Sequence, residues 1–422
     1  MSDTLDREII LDPQGRWWCS RLNRLPEVQA GSELPPHVHI RDCTLREGEE
    51  TPGTFLSVDQ KIAVARLAQD IGVEELEVGY CGAIDAHFAL ARRLRQEGIW
   101  ARLTSINRTY TRDGEWQREI DRAAESGVDG VSLVVFCNDD LLASVPWLPK
   151  EAVPGRVEAC VGYAKSLGLH VGYGLAGTSR SELRWIEACA QAAARAGADL
   201  IGVADSMGAA LPETVALLTR FVRRAVGPEP VLAFHGHNTF GLATANALAA
   251  LRAGATVVDA VAMGLGEGAG ITALEEIAFA LEVLYDVRTG LNVERVGEYC
   301  RLVQESFGIR FPPTKSIVGE GLYRHSIDSH QASILRGHWH SWECIHPRVV
   351  GQERHLEFGY AKVRRGRSGA IGALVEKLGL SATDVQIDAI VDRVQAVTAE
   401  RRWIEQPEVE SIIRAVLREV RS

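Results

Sequence analysis

The chain has 422 residues, 46% hydrophobic and 24% charged, and its 46 basic and 56 acidic side chains leave a net charge of −10. These values belong to a globular protein of two or three domains and exclude a largely disordered chain. The acidic balance argues against nucleic acid or an anionic membrane surface as a partner, and no window approaches the roughly 18 uninterrupted apolar residues of a membrane span.

In chain order, the opening MSDTLDREIILDPQGRWW carries acids where a secretory signal carries basic residues, so a cytoplasmic location is expected. Trp17, Trp18 and Cys19 then suggest an N-terminal piece that packs on something, a second subunit among the options. From 37 to 290 two textures alternate. Short apolar, β-branched runs at 39–47, 74–81, 101–106, 130–137, 170–176, 200–206, 231–238 and 257–266 predict strands. Stretches of helical periodicity separate them. In the first, Val58, Ile62, Leu67 and Ile71 follow Ser57 as a candidate N-cap. Five stretches end in glycine just before the next strand, at Gly72, Gly98, Gly127, Gly168 and Gly197, where a left-handed residue closes a helix.

Strand then helix, eight times over, is the period of an α/β (β/α)8 TIM barrel, with a doubly wound sheet as the competitor. In the barrel, catalytic groups stand at the C-terminal ends of the strands. After 290 the pattern turns helical over 291–308, passes through a loop-rich stretch with several histidines, and ends in three amphipathic helices over 368–422. The expected division is an N-terminal extension (1–36), a barrel (37–290) and a mostly helical C-terminal region (291–422) that packs against the barrel. The eight cysteines include no CxxC pair and read as reduced, mostly buried thiols.

Three motifs carry chemistry. His235-Gly236-His237-Asn238 ends the seventh predicted strand. Residues i and i+2 of a strand share a side, so both imidazoles can converge on one divalent metal; a pair of structural histidines is the bland reading. Arg41-Asp42-Cys43-Thr44-Leu45-Arg46-Glu47-Gly48-Glu49-Glu50 ends the first strand, which barrel closure sets two strands from the seventh. A carboxylate here completes the histidine pair with a hard oxygen ligand, and Arg46 beside it offers a forked cation for a carboxylate or a forming oxyanion. Gly264-Leu265-Gly266-Glu267-Gly268-Ala269-Gly270-Ile271 follows the eighth strand, lets backbone amides approach a substrate, and presents Glu267 as an acid or base. Asp205-Ser206 adds a polar pair at the same rim, equally readable as a loop cap. Lys362, Arg364, Arg365 and Arg367 read as a solvated basic loop, with the phosphates of a ligand as the alternative, and His338, His340 and His346 match no ligand spacing.

At these motifs the sequence resembles the metal-dependent DRE-TIM Claisen condensing enzymes, the homocitrate synthase and 2-isopropylmalate synthase group, with hydroxymethylglutaryl-CoA lyases as more distant relatives. The matching stretches are DCTLREGEETPG, HGHNTFGLATANALAALRAGA and GLGEGAGITALEE, followed by IVGEGLYRHSIDSHQAS (317–333) and WECIHPRVVGQER (342–354). The resemblance implies a condensation of acetyl-CoA, or a close acyl-CoA, with a 2-oxo acid, then thioester hydrolysis to a 2-hydroxy-dicarboxylate. It implies that Glu47, His235 and His237 hold a divalent metal (Zn, Mn or Mg), and that Arg46 stabilises the developing enolate or alkoxide. Glu267 and His330 match positions tied to acid/base work on the thioester. Ser206 stands at a substrate-contacting threonine, and Glu50, Tyr173, Asn238 and Gly266 fall at substrate-binding positions. A homodimer is also implied.

Several departures modify that expectation. Glu50 replaces a usual glutamine, Tyr173-Gly174-Leu175-Ala176-Gly177 replaces a strand-five motif rich in carboxylates, Ile271 replaces an asparagine of the lyases, and Trp342 replaces a tyrosine. The metal triad is kept while much of the oxo-acid pocket is not, which predicts an atypical 2-oxo acid. The competing readings are a carbon–carbon lyase or aldolase of the hydroxymethylglutaryl-CoA lyase type and a barrel that has lost its substrate pocket.

Overall fold

The computed structural model describes residues 9–30 and 34–419; the remaining residues of the N-terminal extension and the end of the last predicted helix lie outside the described residues. Two compact units are present, one of residues 22–310 and one that joins 9–21 to 311–419. These boundaries differ from the 36 and 290 expected from sequence.

The larger unit is a closed barrel of eight parallel strands. They are β1 (His39–Asp42), β2 (Glu75–Gly79), β3 (Arg102–Arg108), β4 (Gly130–Phe136), β5 (His170–Ala176), β6 (Leu200–Asp205), β7 (Val231–Gly236) and β8 (Val257–Ala260). Closure pairs Val257 with His39, and the doubly wound alternative is thereby set aside. Helices α1 (Val58–Asp70), α2 (Asp85–Gln96), α3 (Glu115–Glu125), α4 (Val153–Ser166), α5 (Leu183–Arg195), α6 (Pro212–Val226), α7 (Ala243–Arg252) and α8 (Leu274–Phe279) follow the strands in turn.

The local causes are those the sequence carries. Ser57 caps α1 in a reciprocal box with Gln60, and the five expected corner glycines all have positive φ. On α3, Trp116, Ile120 and Ala123 form the buried stripe that faces the sheet. Helix α9 (Val293–Phe307), grouped with the C-terminal region by its sequence pattern, falls in the barrel unit, where the Tyr299 hydroxyl donates to Asp42 at 2.6 Å.

Two strands stop earlier than their sequences suggest. The β1 ladder ends at Asp42 because its carboxylate accepts from Thr44 N at 2.7 Å, and the amides of Arg46, Glu47 and Gly48 then converge on the Cys43 carbonyl. Arg46 and Glu47 therefore sit in a tight turn above the strand. Similarly, β8 gives way after Ala260 to a helical turn, Ala262–Gly264.

In the smaller unit a three-stranded sheet of β9 (Arg324–His325), β10 (His355–Gly359) and β11 (Trp403–Glu405) accompanies helices α10 (Asp328–Leu335), α11 (Ala370–Lys377), α12 (Asp384–Arg401) and α13 (Gln406–Glu419). The last three are the expected amphipathic helices; Ile371, Leu374, Ile390, Val394, Ile404 and Ile413 are buried in their common core. The sheet was not legible because its strands have two to five residues. The N-terminal residues form a hairpin, Ile9–Leu11 with Trp18–Ser20, and pack on this same unit: Trp17 bridges Ile345, and Trp18 Nε1 donates to the Glu343 carbonyl at 2.6 Å. The basic cluster faces acids of α12, Arg365 with Asp392 and Arg367 with Asp384 at 2.6 Å. Among the described residues, no helix is long and apolar enough to cross a membrane.

Candidate metal centre and active-site cavity

The ends of β1 and β7 bring the predicted triad together. One ligand atom from each of Glu47, His235 and His237 lies within 4.8 Å of the others, the only such grouping among the described residues. His235 is on β7, while His237, just past its end, is held by a bridge to Ile271.

The protonation pattern suits a cation. His235 Nδ1 lies 3.1 Å from Asp259 Oδ2, which fixes the ring and turns Nε2 toward Glu47. Burial by itself lowers the His235 pKa, but the hydrogen bond and charge of Asp259 outweigh it and raise it. Burial lowers that of His237, reinforced by His235. Burial opposes ionisation of Glu47, yet Arg46 and the two histidines hold its carboxyl below the usual range. Two imidazoles and an ionised carboxylate, one ring oriented from behind by an acid, form a possible site for a divalent metal.

A network of buried charges holds these groups. Arg41 grips Asp259 with two nitrogens at 2.8 Å and reaches Ser132 at 3.1 Å. Arg46 bonds Glu77 at 2.5 Å, Glu47 more closely, and Glu50 at 3.4 Å. The Tyr80 hydroxyl donates to Glu50 at 2.8 Å; burial and then the neighbouring acids raise the Glu50 pKa against the pull of Arg46. Glu267 N donates to Glu47 Oε1 at 3.2 Å, and a Cβ on Gly266 would stand 2.9 Å from that oxygen, so the glycine run closes directly over the carboxylate.

All of these groups border a cavity of about 280 Å³ at the C-terminal rim, lined also by Ile106, Arg108, Tyr110, Val134, Phe136 and Ser206. Of the residues expected there, Arg46, Glu47, Glu50, Tyr173, Ser206, His235, His237 and Glu267 line it. Ser206 also accepts from Gly177 N at 3.1 Å, and it is Asp205 that caps the loop, accepting from Ala209 N and Ala210 N at 3.3 and 3.0 Å.

The polar atoms of two expected substrate contacts have partners within the protein. The Asn238 side chain accepts from Ala243 N at 3.1 Å and caps α7. Tyr173 borders the cavity, but its buried hydroxyl points to Cys137, at 4.0 Å; strand alternation gives the inward positions of β5 to Gly172, Gly174 and Ala176. Gly266 contributes backbone, its amide donating to Thr51 Oγ1 at 2.9 Å.

His330 is in the smaller unit, stacked on Trp342 with ring centroids 3.4 Å apart. Burial, then the charge of His325, lowers its pKa. His325 itself is buried against Glu343 at 2.9 Å, and Arg354 bonds the same carboxylate at 2.7 and 2.6 Å.

Sequence reasoning missed Arg41, Glu77 and Asp259 as parts of the site. Their signal was a charge inside an apolar strand, as in ELEVG and VVDA, which a buried position tolerates only when paired.

The fold and site together define a TIM barrel with a possible metal centre at its C-terminal rim. A family model described as HMGL-like matches residues 37–303, more than half of the chain, and this protein belongs to that family. It is 33% identical, over 93% of its length and 75% of the relative's, to a Methanopyrus kandleri protein provisionally named (R)-citramalate synthase CimA. It is 32% identical to homocitrate synthase AksA of the same organism, over 91% of this chain and 94% of the relative. Among solved structures, hydroxymethylglutaryl-CoA lyase from Pseudomonas aeruginosa shares the fold with a TM-score of 0.59 at 20% identity, covering 68% of this chain and 98% of that one.

Proposed function

We propose that this protein condenses acetyl-CoA, or a close acyl-CoA, with a 2-oxo acid in a metal-dependent Claisen reaction and hydrolyses the resulting thioester. The products are a 2-hydroxy-dicarboxylate and free CoA, with one water consumed. The observation that carries this reading is the convergence of Glu47, His235 and His237 beside Arg46 in the rim cavity. The names of the similar synthases support it.

In this reading Glu47, His235 and His237 hold a divalent ion, Zn, Mn or Mg, which when bound supplies Lewis-acid polarisation of the oxo acid's carbonyl. Arg46, kept in place by Glu77, presents positive charge where the carbonyl oxygen gains negative charge. The Glu267 carboxyl on the cavity wall and the His330 imidazole move the protons, one taken from the acyl methyl and one returned during thioester hydrolysis. We propose further that the protein is a cytoplasmic homodimer; its eight thiols form no disulfide, as a reducing compartment requires.

The test is thiol release from acetyl-CoA by metal-loaded protein across a panel of 2-oxo acids. Release that depends on one oxo acid and stops with chelator is expected. Silence across the panel with metal bound would reject the condensation and direct the search to cleavage of 3-hydroxyacyl-CoA. Sedimentation as a monomer at micromolar concentration would reject the dimer.

A further inference from the structure

The barrel wall from β3 to β6, which ends beside the His235 strand, has features that the condensation does not use. Its strands β5 and β6 present Gly172, Gly174, Ala176, Gly202 and Ala204 to the cavity, and register sets Gly174 beside Gly202. None of these three glycines has positive φ. A Cβ on any of them would meet nothing closer than 3.5 Å. Neither backbone conformation nor packing therefore demands glycine here, and what the three residues leave is room for a ligand.

Apart from Ser132, which Arg41 engages, the rest of this arc is apolar until its rim. Ile106 and Val134 line it, and Tyr110 stacks on Phe136 with ring centroids 4.4 Å apart. At the end of β3 stands Arg108, whose Nη2 is 3.3 Å from Glu119 and whose buried Nε has no hydrogen-bond partner. The other cavity arginines are committed to carboxylates, Arg41 to Asp259 and Arg46 to Glu77 and Glu47. Arg108, with a single carboxylate contact at 3.3 Å and an unpartnered Nε, is thus the cavity arginine least committed to carboxylates.

We propose that Arg108 is a specificity-determining residue: it binds an anionic group, carboxylate or phosphonate, at the far end of a 2-oxo acid whose side chain lies over the Gly172–Gly174–Gly202 wall. The oxo-acid head then sits at the β7–β1 side and its charged tail at β3. This rests on the condensation reading for the identity of the head group, and on Arg108 and the glycine wall for the tail.

The experiment compares 2-oxo acids matched in length but ending in carboxylate, phosphonate or methyl, with pyruvate as the short reference. Wild-type protein, Arg108→Leu, Arg108→Lys and Gly174→Leu are each tested metal-loaded, by thiol release from acetyl-CoA. Wild type is expected to favour the anionic tails, and the carboxylate and phosphonate arms tell which. Arg108→Leu is expected to lower the anionic-to-methyl ratio of kcat/KM about 10- to 100-fold, mainly through KM, with Arg108→Lys retaining part of the preference. Gly174→Leu is expected to exclude the long acids relative to pyruvate. A wild type that favours methyl tails, or an unchanged ratio in Arg108→Leu, would overturn the assignment while leaving the condensation intact. If no oxo acid releases thiol, the condensation reading fails, and calorimetric titration of the same acids decides the tail site. Weaker binding of anionic tails to Arg108→Leu than to wild type supports it, whereas equal or absent binding overturns it.

Discussion

The chain of contacts from Arg41 through Asp259 to His235 shows how a single residue reaches the candidate metal centre without touching it. A buried carboxylate is tolerated because Arg41 grips both its oxygens, and the second job of those oxygens is to orient the imidazole. Asp259→Asn is expected to weaken metal affinity about 10- to 100-fold in a metal titration, and unchanged affinity would show that Asp259 only fills space. A second buried acid, Glu75, serves stability. Burial opposes its ionisation, but His39, Arg41 and Arg102 bring its pKa down to about 2. A folded-state value below the unfolded one gives stability that is present above the unfolded pKa, and that disappears as pH falls toward 2. Glu75→Gln should therefore cost about 2–3 kcal/mol in urea unfolding at pH 7, with the difference shrinking below about pH 4.5. A deficit independent of pH would contradict the charge argument.

At the scale of elements, the loop after β8 is defined by backbone proximity. Gly270 has φ +73° and its hypothetical Cβ would stand 1.8 Å from the Gly264 carbonyl oxygen, whereas at Gly268, φ +63°, a Cβ meets nothing within 4 Å. Gly268→Ala should cost only the left-handed penalty of about 1–2 kcal/mol, and Gly270→Ala clearly more, since backbone must move. Thermal unfolding of the two variants checks the order, and equal losses would mean that the loop yields freely. The same loop explains a limit of motif reading. Glycine alternation signalled close approach, but only the fold revealed that the close neighbour of Gly266 is the Glu47 carboxylate. Asn238 shows the converse, because a polar residue next to two candidate metal ligands was equally suited to hold the first turn of the following helix, and accepts from Ala243 N.

For the whole molecule, the metal triad and His330, a proposed acid/base group, fall in different units. All three triad residues lie within 22–310, and His330 lies in the other unit. His330→Ala is accordingly expected to leave metal content unchanged while kcat falls about 10²- to 10⁴-fold, the range of a lost general acid or base. Loss of metal in that variant would show that the units do not divide the work in this way.

What the sequence determined by itself is whatever depends on spacing along the chain. The eight-fold alternation, the Ser57 cap, the corner glycines and the His235/His237 pair are all local, fixed by helical and strand periods of a few residues. Tertiary structure alone decided what depends on closure. Strand pairing brings β8 against β1, and so Asp259 to Arg41 and Glu47 to the histidines, across more than 180 positions of sequence in each case. Only the closed barrel determines which face of each strand looks inward, turning the Tyr173 hydroxyl away and leaving glycine as the wall. Electrostatics completes the division: a charge in an apolar strand is ambiguous until its partner is known, and the partner comes from a distant strand.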